Sequence, residues 1–168
     1  MTTLRTMMRT RAAQAGLPTL RPATAEDARL LWEWRQDPVV QAASFSSERI
    51  PWERHQRWLA RQLASPDCRI WVAERHGHSR GQIRYVRSGS EAELSYSVAA
   101  AHRGQGWGTA MLRASAPRAC RELGVTRVFG FTKCTNPASI RSFQRAGFRQ
   151  ARAITRQGSA CLEFEWRP

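Results

Sequence analysis

Hydrophobic residues recur along the chain with two different periods, and these periods predict both helices and strands. Two helical segments lie in the N-terminal part of the chain. Thr24 caps the first, which carries a stripe of apolar side chains and ends at Asp37 and Pro38. The second begins at Pro51, because the missing N–H of a proline costs nothing in the first turn of a helix.

Alternation of apolar and polar residues predicts strands over most of the remaining chain. The predicted strands are 19–21, 69–75, 80–87, 92–99, 128–132, 148–155 and 160–166. Two more helices separate the later strands: one runs from a glycine-rich loop to Leu123, and one runs from Asn136 to Gly147. Pro117 lies inside the former and is expected to kink or split it. This order of elements predicts a mixed α+β fold.

The length of the chain fits one domain, because 168 residues can enclose a single hydrophobic core. Residues 1–17 contain three arginines and no acid, and we expect them to form a disordered basic tail ahead of a single domain at 18–168. No apolar run approaches the ~18 residues of a membrane span, which excludes an integral membrane protein.

The balance of charge is strongly basic. The chain has 27 basic residues, all arginine except Lys133, against 13 acidic ones, and its formal net charge is +14. Such a charge attracts anions of several kinds, from nucleic acid to phosphorylated small molecules. The arginines are scattered rather than clustered, so charge alone selects no partner.

The spacing of cysteine and histidine indicates neither a disulfide framework nor a metal site. The four cysteines form no Cys-x-x-Cys pair, and we expect reduced thiols in a cytoplasmic protein. His76 and His78 flank a glycine in a polar turn between two predicted strands, and no third ligand lies near them. We therefore predict that no metal is bound.

A glycine-rich loop carries the strongest chemical signal. Glycines occupy alternate positions between Arg103 and Gly108, after a predicted strand and at the start of a predicted helix. Glycine tolerates positive φ and lets a ligand approach the backbone closely. The N–H groups and the dipole at a helix N-terminus favour a phosphate group. No Gly-Lys-Ser/Thr follows, so the segment is not a Walker loop.

Two segments with one predicted strand between them carry a combined signature. Residues 97–112 read SVAAAHRGQGWGTAML, and further on Asn136-Pro137-Ala138-Ser139 precedes Arg145-Ala146-Gly147-Phe148. The first is similar to the acyl-CoA signature R/Q-x-x-G-x-G/A of the GNAT family of N-acetyltransferases, and the second resembles that family's N-x-x-S … G-F signature. The resemblance implies a mixed, mostly antiparallel sheet of about six to seven strands, flanked by about four helices, over about residues 19–167.

The resemblance also implies acetyl-CoA as the co-substrate. The loop from Arg103 to Thr109 would hold its pyrophosphate, the strand end near Val98 would pair with the pantetheine arm, and Asn136 would contact that arm near the thioester. A plain helix N-cap also explains Asn136, and both interpretations can hold. The implied cofactor-binding residues are Ser97, Val98, Arg103, Gly104, Gln105, Gly106, Trp107, Gly108, Thr109, Asn136 and Ser139.

Glu93 is the predicted general base for acetyl transfer. The apolar residues of its strand share one face, which leaves Glu93 in a polar row on the other face that leads toward the implied cofactor. A carboxylate there can draw a proton from the amine through water. An ordinary solvent-facing glutamate explains the pattern equally well, and Glu91 and Glu48 are the next candidates.

The proton donor for the leaving thiolate follows from the family only in part. Many members carry a tyrosine four residues before the glycine of the second signature, where this chain has Phe143. Ser139, Cys134 and Tyr96 are the remaining candidates. Ser139 is favoured because it matches a serine of the branches that acetylate protein N-termini, although a first-turn serine without a chemical role explains it as well.

The N-terminal half is expected to build the acceptor site. Its pattern after Ile50 resembles a GNAT branch that acetylates nucleotide-linked amino sugars, for which Trp52, His55 and Arg49 would contact the acceptor and Arg54 would be a further cation. The buried stripe of an amphipathic helix explains the aromatic residues equally well.

The sequence therefore predicts an N-acetyltransferase of a small primary amine that works by direct attack in a ternary complex. The alternatives are an acetyltransferase of protein N-termini, a non-catalytic acyl-CoA sensor, and a basic nucleic-acid-binding domain, which only the charge supports. The expected partners are acetyl-CoA and the amine, without a membrane or nucleic acid. We expect a monomer or homodimer in the cytoplasm.

Overall fold

The computed structural model of the protein describes residues 18–168, so the predicted basic tail at 1–17 lies outside the described residues. Seven strands in this part of the chain form one sheet. They are β1 (Thr19–Pro22), β2 (Cys68–Arg75), β3 (His78–Ser88), β4 (Glu91–Val98), β5 (Arg127–Lys133), β6 (Arg149–Arg156) and β7 (Ser159–Trp166). Each coincides with a predicted strand to within two residues at either end.

Five α-helices accompany the sheet in residues 18–168, one more than the sequence predicts. They are α1 (Ala28–Gln36), α2 (Pro38–Ala43), α3 (Trp52–Ala64), α4 (Trp107–Leu123) and α5 (Pro137–Arg145). The unpredicted helix is α2. Asp37 and Pro38 do end α1, but they also begin α2, because the Asp37 carboxylate accepts hydrogen bonds from the N–H groups of Val39 and Val40 at 2.9 and 3.2 Å.

Pro117 was predicted to kink or split its helix, and the split is wrong. Residues on both sides of Pro117 belong to one continuous helix, α4. Both halves bury small and apolar side chains against the sheet, among them Leu112 before the proline and Ala119 after it. Packing of this buried face outweighs the backbone hydrogen bond that the proline removes.

The strands follow the order β1-β2-β3-β4-β5-β7-β6 across the sheet. Every neighbouring pair is antiparallel except β4 and β5, which are parallel. The mixed α+β class and the mostly antiparallel sheet predicted from the sequence are therefore confirmed. Pairing between the two parallel strands, β4 and β5, is incomplete, because it ends at Leu94 and Gly130. The last residues of β4, from Ser95 to Val98, have no partner on the β5 side.

The two faces of the sheet have different covers. We call the first the Tyr96 face, because Tyr96, Leu94 and Gly130 point to it together with the side chains that α4 and α5 bury. The second, the Glu93 face, carries Glu93 and Ser95 of β4. Over β2 the Glu93 face is covered by α1 and α3, whose Leu31 and Leu59 pack in a second apolar cluster.

Candidate active site

The glycine-rich loop leads into the N-terminus of α4 with a conformation that requires glycine. Gly104 has a φ of +72° and Gly106 a φ of +86°. A Cβ built on either residue would meet no atom within 4 Å, so the space outside the loop is open. Gly106 is the N-cap of α4 and has no side chain to accept hydrogen bonds from the first N–H groups of the helix. These donors can therefore serve an anionic ligand.

The residues just after the loop take part in packing. Trp107 is buried, and the Arg80 guanidinium lies 5.8 Å from its ring centroid. A Cβ on Gly108 would lie 3.0 Å from Ser142 Oγ and 3.1 Å from Cε2 of Tyr96. The missing side chain of Gly108 therefore lets α4 approach both α5 and Tyr96, and its contact with the cofactor stays a prediction.

Gln105 and Thr109 are the other polar residues of the loop region. Gln105 donates from Nε2 to the Ala101 carbonyl at 3.1 Å, and Thr109 is half-buried in the first turn of α4. The Gln105 bond does not occupy the N–H groups at the helix start, so it leaves them available to a ligand.

Arg103 connects the loop to α2. Its Nη2 lies 2.8 Å from Oδ1 of Asp37, the carboxylate that also caps α2. Burial by itself would raise the pKa of Asp37, but the hydrogen bonds from Arg103, Val40 and Val39 outweigh it and lower that pKa below its ordinary value. A cleft of about 280 Å³ opens beside the pair, with Trp34 among its lining residues. The sequence analysis missed Asp37, whose only visible signal was its position before a proline.

Tyr96 and Ser139 meet on the Tyr96 face. The Tyr96 hydroxyl lies 3.0 Å from Ser139 Oγ, and its ring stands edge-on to Phe143 with centroids 5.8 Å apart. Burial raises the pKa of the Tyr96 phenol, and its hydrogen bonds with Ser139 and Ser142 oppose the shift only in part. The family's usual tyrosine position is filled by the buried Phe143, and a phenol from β4 reaches the same helix instead.

Asn136 is the N-cap of α5. Its Oδ1 accepts a hydrogen bond from the Ser139 N–H at 3.1 Å, as the plain capping interpretation requires. The amide nitrogen of Asn136 is not used in this bond, so a contact with the pantetheine arm stays a prediction alongside the cap.

Glu93 is paired with an arginine that the sequence analysis did not single out. Arg156 Nη1 lies 2.8 Å from Glu93 Oε1. The Arg156 guanidinium also lies 4.5 Å from the ring centroid of Phe131 and 5.1 Å from that of Phe45, a residue of the loop after α2. A second contact comes from Lys133 of β5, whose Nζ donates to the Ala42 carbonyl of α2 at 2.8 Å. These contacts join the segment formed by α2 and the loop after it, which we call the α2 loop, to the Glu93 face beside the incomplete β4–β5 pair.

The other polar candidates lie in separate contacts. Glu91 pairs with Arg127 at 3.1 Å, and Glu48 pairs with Arg54 at 2.7 Å. Cys134 is an exposed free thiol just after β5. None of these contacts brings a second carboxylate next to Glu93.

The predicted acceptor residues Trp52 and His55 of α3 stack on each other with ring centroids 6.0 Å apart, and Arg49 lies in the loop before that helix. His55 is 3% exposed, its Nε2 lies 2.9 Å from the Ala28 carbonyl oxygen, and burial lowers its pKa. Trp52 stands edge-on to Trp32 with centroids 5.6 Å apart, and Arg49 is exposed. The buried-stripe interpretation describes the surroundings of His55, and the contacts of all three residues with an acceptor stay predictions.

The described residues contain no group of three or more potential metal ligands. His76 and His78 lie at the turn between β2 and β3, where His76 has a φ of +52° and Gly77 a φ of +74°. In the part of the chain that the structure describes, no helix combines the length and the apolarity needed to cross a membrane.

Comparison with known proteins identifies the class of enzyme. A family model described as "Acetyltransferase (GNAT) domain" matches residues 19–149. The chain therefore belongs to the GNAT acetyltransferases, as its two signatures indicated. It is an acetyl-CoA-dependent N-acetyltransferase. A search of curated protein sequences gave no match.

Solved structures share the fold at low sequence identity. The aminoglycoside acetyltransferase AAC(6')-Ib with ribostamycin and coenzyme A has a TM-score of 0.79 and 20% identity, over 90% of this chain and 94% of that chain. Spermidine N-acetyltransferase from Vibrio cholerae with CoA and spermine has a TM-score of 0.80 and 14% identity, over 90% and 95%. Ribosomal-protein-alanine N-acetyltransferase from Brucella melitensis has a TM-score of 0.77 and 25% identity, over 89% and 99%.

Proposed function

We propose that the protein transfers the acetyl group of acetyl-CoA to the primary amine of a small molecule by direct attack in a ternary complex. The observation that carries the proposal is the incomplete β4–β5 pair, which has an open helix N-terminus and Tyr96 on one face and Glu93 on the other. A thioester held in this opening is accessible to an amine on the Glu93 face and to a proton donor on the Tyr96 face.

The cofactor would enter from the Tyr96 face. The pyrophosphate would accept hydrogen bonds from the N–H groups of the loop between Arg103 and Thr109, and the helix dipole of α4 adds to their attraction. The pantetheine arm would pair with the free edge of β4 at Ser97 and Val98, as an added strand does. This edge is available because β5 no longer pairs with it.

Attack by the amine requires a base on the Glu93 face. The amine nitrogen forms a bond to the thioester carbonyl carbon, and its proton passes to the Glu93 carboxylate, directly or through one water. The ion pair with Arg156 holds this carboxylate in place. A backbone N–H near Val98 would stabilise the oxyanion of the tetrahedral intermediate.

Departure of coenzyme A requires a proton on the Tyr96 face. The carbon–sulfur bond breaks, and the thiolate takes a proton from the Tyr96 hydroxyl or from Ser139, which share a hydrogen bond. Because burial raises the pKa of Tyr96, the phenol keeps its proton to a higher pH than an exposed tyrosine does. Activity that depends on this donor is therefore lost only as the pH rises above the ordinary pKa of tyrosine, about 10.

The contacts across the Glu93 face favour a small acceptor. Phe45 over Arg156, and Lys133 bonded to Ala42, bring the α2 loop against β5 and β6 and narrow the access to Glu93. The neighbours' names include an aminoglycoside and a spermidine acetyltransferase, both of which act on small amines by name. A nucleotide-linked amino sugar is the particular acceptor that the sequence pattern suggests, and its predicted contacts are Trp52, His55 and Arg49.

Acetylation of a protein N-terminus is the second candidate. The Brucella melitensis neighbour is a ribosomal-protein-alanine N-acetyltransferase by name and has the highest identity of the three structures described. Ser139, which matches the serine of such branches, lies beside Tyr96. An N-terminal peptide would have to fit beneath the Phe45–Arg156 contact.

We further propose that the enzyme works in the cytoplasm as a monomer or homodimer. All four cysteines are free, and Cys68, Cys120 and Cys161 are buried, which suits a reducing compartment.

A screen of thiol release from acetyl-CoA tests the proposal. The acceptors are amino-sugar nucleotides, the free amino sugars, polyamines, amino acids and N-terminal peptides, each with and without enzyme. We expect one small amine to stimulate release, with stoichiometric N-acetyl product by mass spectrometry. Stimulation by peptides alone would favour the second candidate, and binding of acetyl-CoA without stimulation by any amine would contradict both.

A further inference from the structure

Arg84 occupies the centre of the sheet without a charged partner. It lies in the middle of β3, paired with Ile70 of β2 and Ser95 of β4. Its guanidinium lies 5.2 Å from the ring centroid of Trp58. Arg84 is half-buried, and within residues 18–168 it makes no salt bridge and no side-chain hydrogen bond, unlike most arginines of the sheet. The described chain supplies no hydrogen-bond acceptor for its five N–H donors, so these donors are available to a partner from outside the chain.

The position of Arg84 faces the predicted acceptor site. Its cross-strand neighbour Ser95 is exposed, so the surface beside the guanidinium is open to solvent. Both residues point to the Glu93 face, together with Glu93 itself. Burial lowers the pKa of Arg84, and the charges of Cys68 and Glu93 oppose this shift, so Glu93 is close enough for its charge to act on Arg84.

The charges on this part of the sheet do not balance. Glu93 is the carboxylate whose charge acts on Arg84, and it already forms a salt bridge with Arg156. The Arg156–Glu93 pair is neutral as a unit and leaves the charge of Arg84 uncompensated. An amine acceptor with several positive charges would meet repulsion from Arg84, whereas an acceptor with an anionic group would supply the missing partner.

We infer that the acceptor is an amine that also carries a carboxylate or phosphate group, and that Arg84 binds this group while the amine lies beside Glu93. The inference rests on the proposed function and names its substrate class. Adjacent strands are about 5 Å apart, so an anion at Arg84 and an amine at the β4–β5 opening lie within reach of one small molecule. The planar guanidinium can donate two parallel hydrogen bonds to either anion.

Matched pairs of amines test the inference. Phosphoethanolamine against ethanolamine isolates the phosphate, β-alanine against β-alaninamide isolates the carboxylate, and spermidine represents the polycations. For each compound, kcat/KM is measured by thiol release, and the dissociation constant is measured by calorimetry in the presence of coenzyme A. The variants are Arg84→Gln, Arg84→Lys and, as the matched loss of one positive charge, Arg61→Gln on the exposed surface of α3.

At least one anionic amine is expected to bind about tenfold or more tightly than its neutral partner. A hydrogen bond to a charged group contributes enough free energy for an affinity ratio of this size. Arg84→Gln should reduce this ratio to near one, Arg84→Lys should keep part of it because the charge remains, and Arg61→Gln should keep all of it. If the affinity ratio is lost in Arg84→Gln and partly kept in Arg84→Lys, the positive charge of Arg84 binds the anion. A role of Arg84 only in packing against Trp58 would not give this result.

Equal affinity within both pairs for the parent enzyme would overturn the inference, and so would an undiminished affinity ratio in Arg84→Gln. A stronger affinity for spermidine than for either anionic amine would overturn it as well. The proposed function fails separately, when no amine releases thiol from acetyl-CoA. The affinities in the coenzyme A complex decide the substrate class even then.

Discussion

Gly106 shows how a single residue controls the predicted cofactor site. Its φ of +86° lies in the region that L side chains resist, and the space beside it is open rather than filled by protein. The residue is therefore required for the shape of the loop and for the approach of a ligand, two demands that a local sequence pattern can express. Glu93 is the opposite case. Its predicted role as a general base depends on a carboxylate held by Arg156, a residue 63 positions away.

Gly106→Val is expected to abolish binding of acetyl-CoA, because a β-branched side chain resists positive φ and fills the open space beside the helix N-terminus. Calorimetry with acetyl-CoA measures the loss. Gly89→Val is the matched control, since Gly89 has a φ of +61° with equally open surroundings in the turn after β3. Both variants should lose about 1–2 kcal/mol of stability from backbone strain. Unchanged affinity in Gly106→Val would contradict the predicted cofactor site.

Glu93→Gln is expected to lower kcat by about 10²–10⁴-fold without changing the affinity for acetyl-CoA, because only the proton acceptor is removed. The deficit should be greatest at low pH and should shrink as the pH approaches the pKa of the amine, which then loses its proton unaided. Steady-state rates across the pH range give the profile, with Glu53→Gln on the exposed surface of α3 as the control. Near-normal kcat at every pH would move the base to Glu91 or Glu48.

At the scale of elements, the short helix α2 depends on one carboxylate. Asp37 ends α1, caps α2 and forms an ion pair with Arg103 of the glycine-rich loop. The position of the α2 loop against β5, through Lys133 and Ala42, therefore depends in part on the same cap. The predicted acceptor side and the predicted cofactor side are linked at this residue.

Asp37→Ala is expected to lower the free energy of unfolding by about 1 kcal/mol for the lost cap and by up to about 1 kcal/mol for the lost, partly exposed ion pair. Asp37→Asn keeps a capping side chain and should lose only the second contribution. Because the pKa of Asp37 is lowered in the folded protein, this contribution is present above the unfolded pKa of about 3.9 and is lost as the pH falls through the folded value. Urea unfolding of both variants measures the difference, and equal losses would show that the cap contributes nothing.

At the scale of the whole molecule, an arginine cluster stabilises the C-terminal half of the sheet. Arg127 of β5 pairs with Glu163 and Glu165 of β7, which are 1% and 6% exposed, and Arg149 and Arg152 of β6 cover the same carboxylates. Part of the high arginine content is thus used for internal ion pairs. The count of 27 basic residues consequently overstates the number of cations that are free for a partner, whereas the net charge of +14 already subtracts the 13 acidic residues.

Arg127→Leu is expected to cost about 3–5 kcal/mol, because it removes one partner from a buried ion-pair network and leaves carboxylates without it. Arg29→Leu is the matched control, since the Arg29–Glu33 pair is exposed and contributes at most about 1 kcal/mol. Thermal or denaturant unfolding measures both. A cost for Arg127→Leu no larger than that of the control would show that the network adds little to stability.

The same network predicts how stability depends on pH. The hydrogen bonds from Arg127 and Arg149 outweigh burial and lower the pKa of Glu165, and those from Arg152 and Arg127 overcome the larger effect of burial at Glu163. Carboxylates with lowered folded pKa values stabilise the protein above their unfolded pKa of about 4.3 and lose this effect as the pH falls. Unfolding free energies that stay constant from neutral pH to below pH 4 would contradict the assignment.

Sequence patterns predicted much of the local structure and little of the pairing between distant residues. All strands, the start of α4 and the cap of α5 were predicted, because alternation, glycine and Asn-Pro act within a few residues. The short helix α2 was missed because Asp37 and Pro38 serve at once as a stop and a start. Pro117 was expected to kink or split α4, and the buried face of that helix on the sheet keeps it continuous.

The sequence by itself determined the class of the enzyme, since the glycine-rich loop and the second signature are local patterns whose backbone conformation each residue type requires. The tertiary structure decided which side chains share a face and a partner. It brought Ser139 to Tyr96, Arg156 to Glu93 and Asp37 to Arg103. It placed Arg84 beside the Trp58 ring without a salt-bridge partner in the described chain. The physical reason is the strand order: β7 lies between β5 and β6, and β5 leaves β4 after four residue pairs. Long-range packing sets these arrangements, and no pattern within a few residues encodes them.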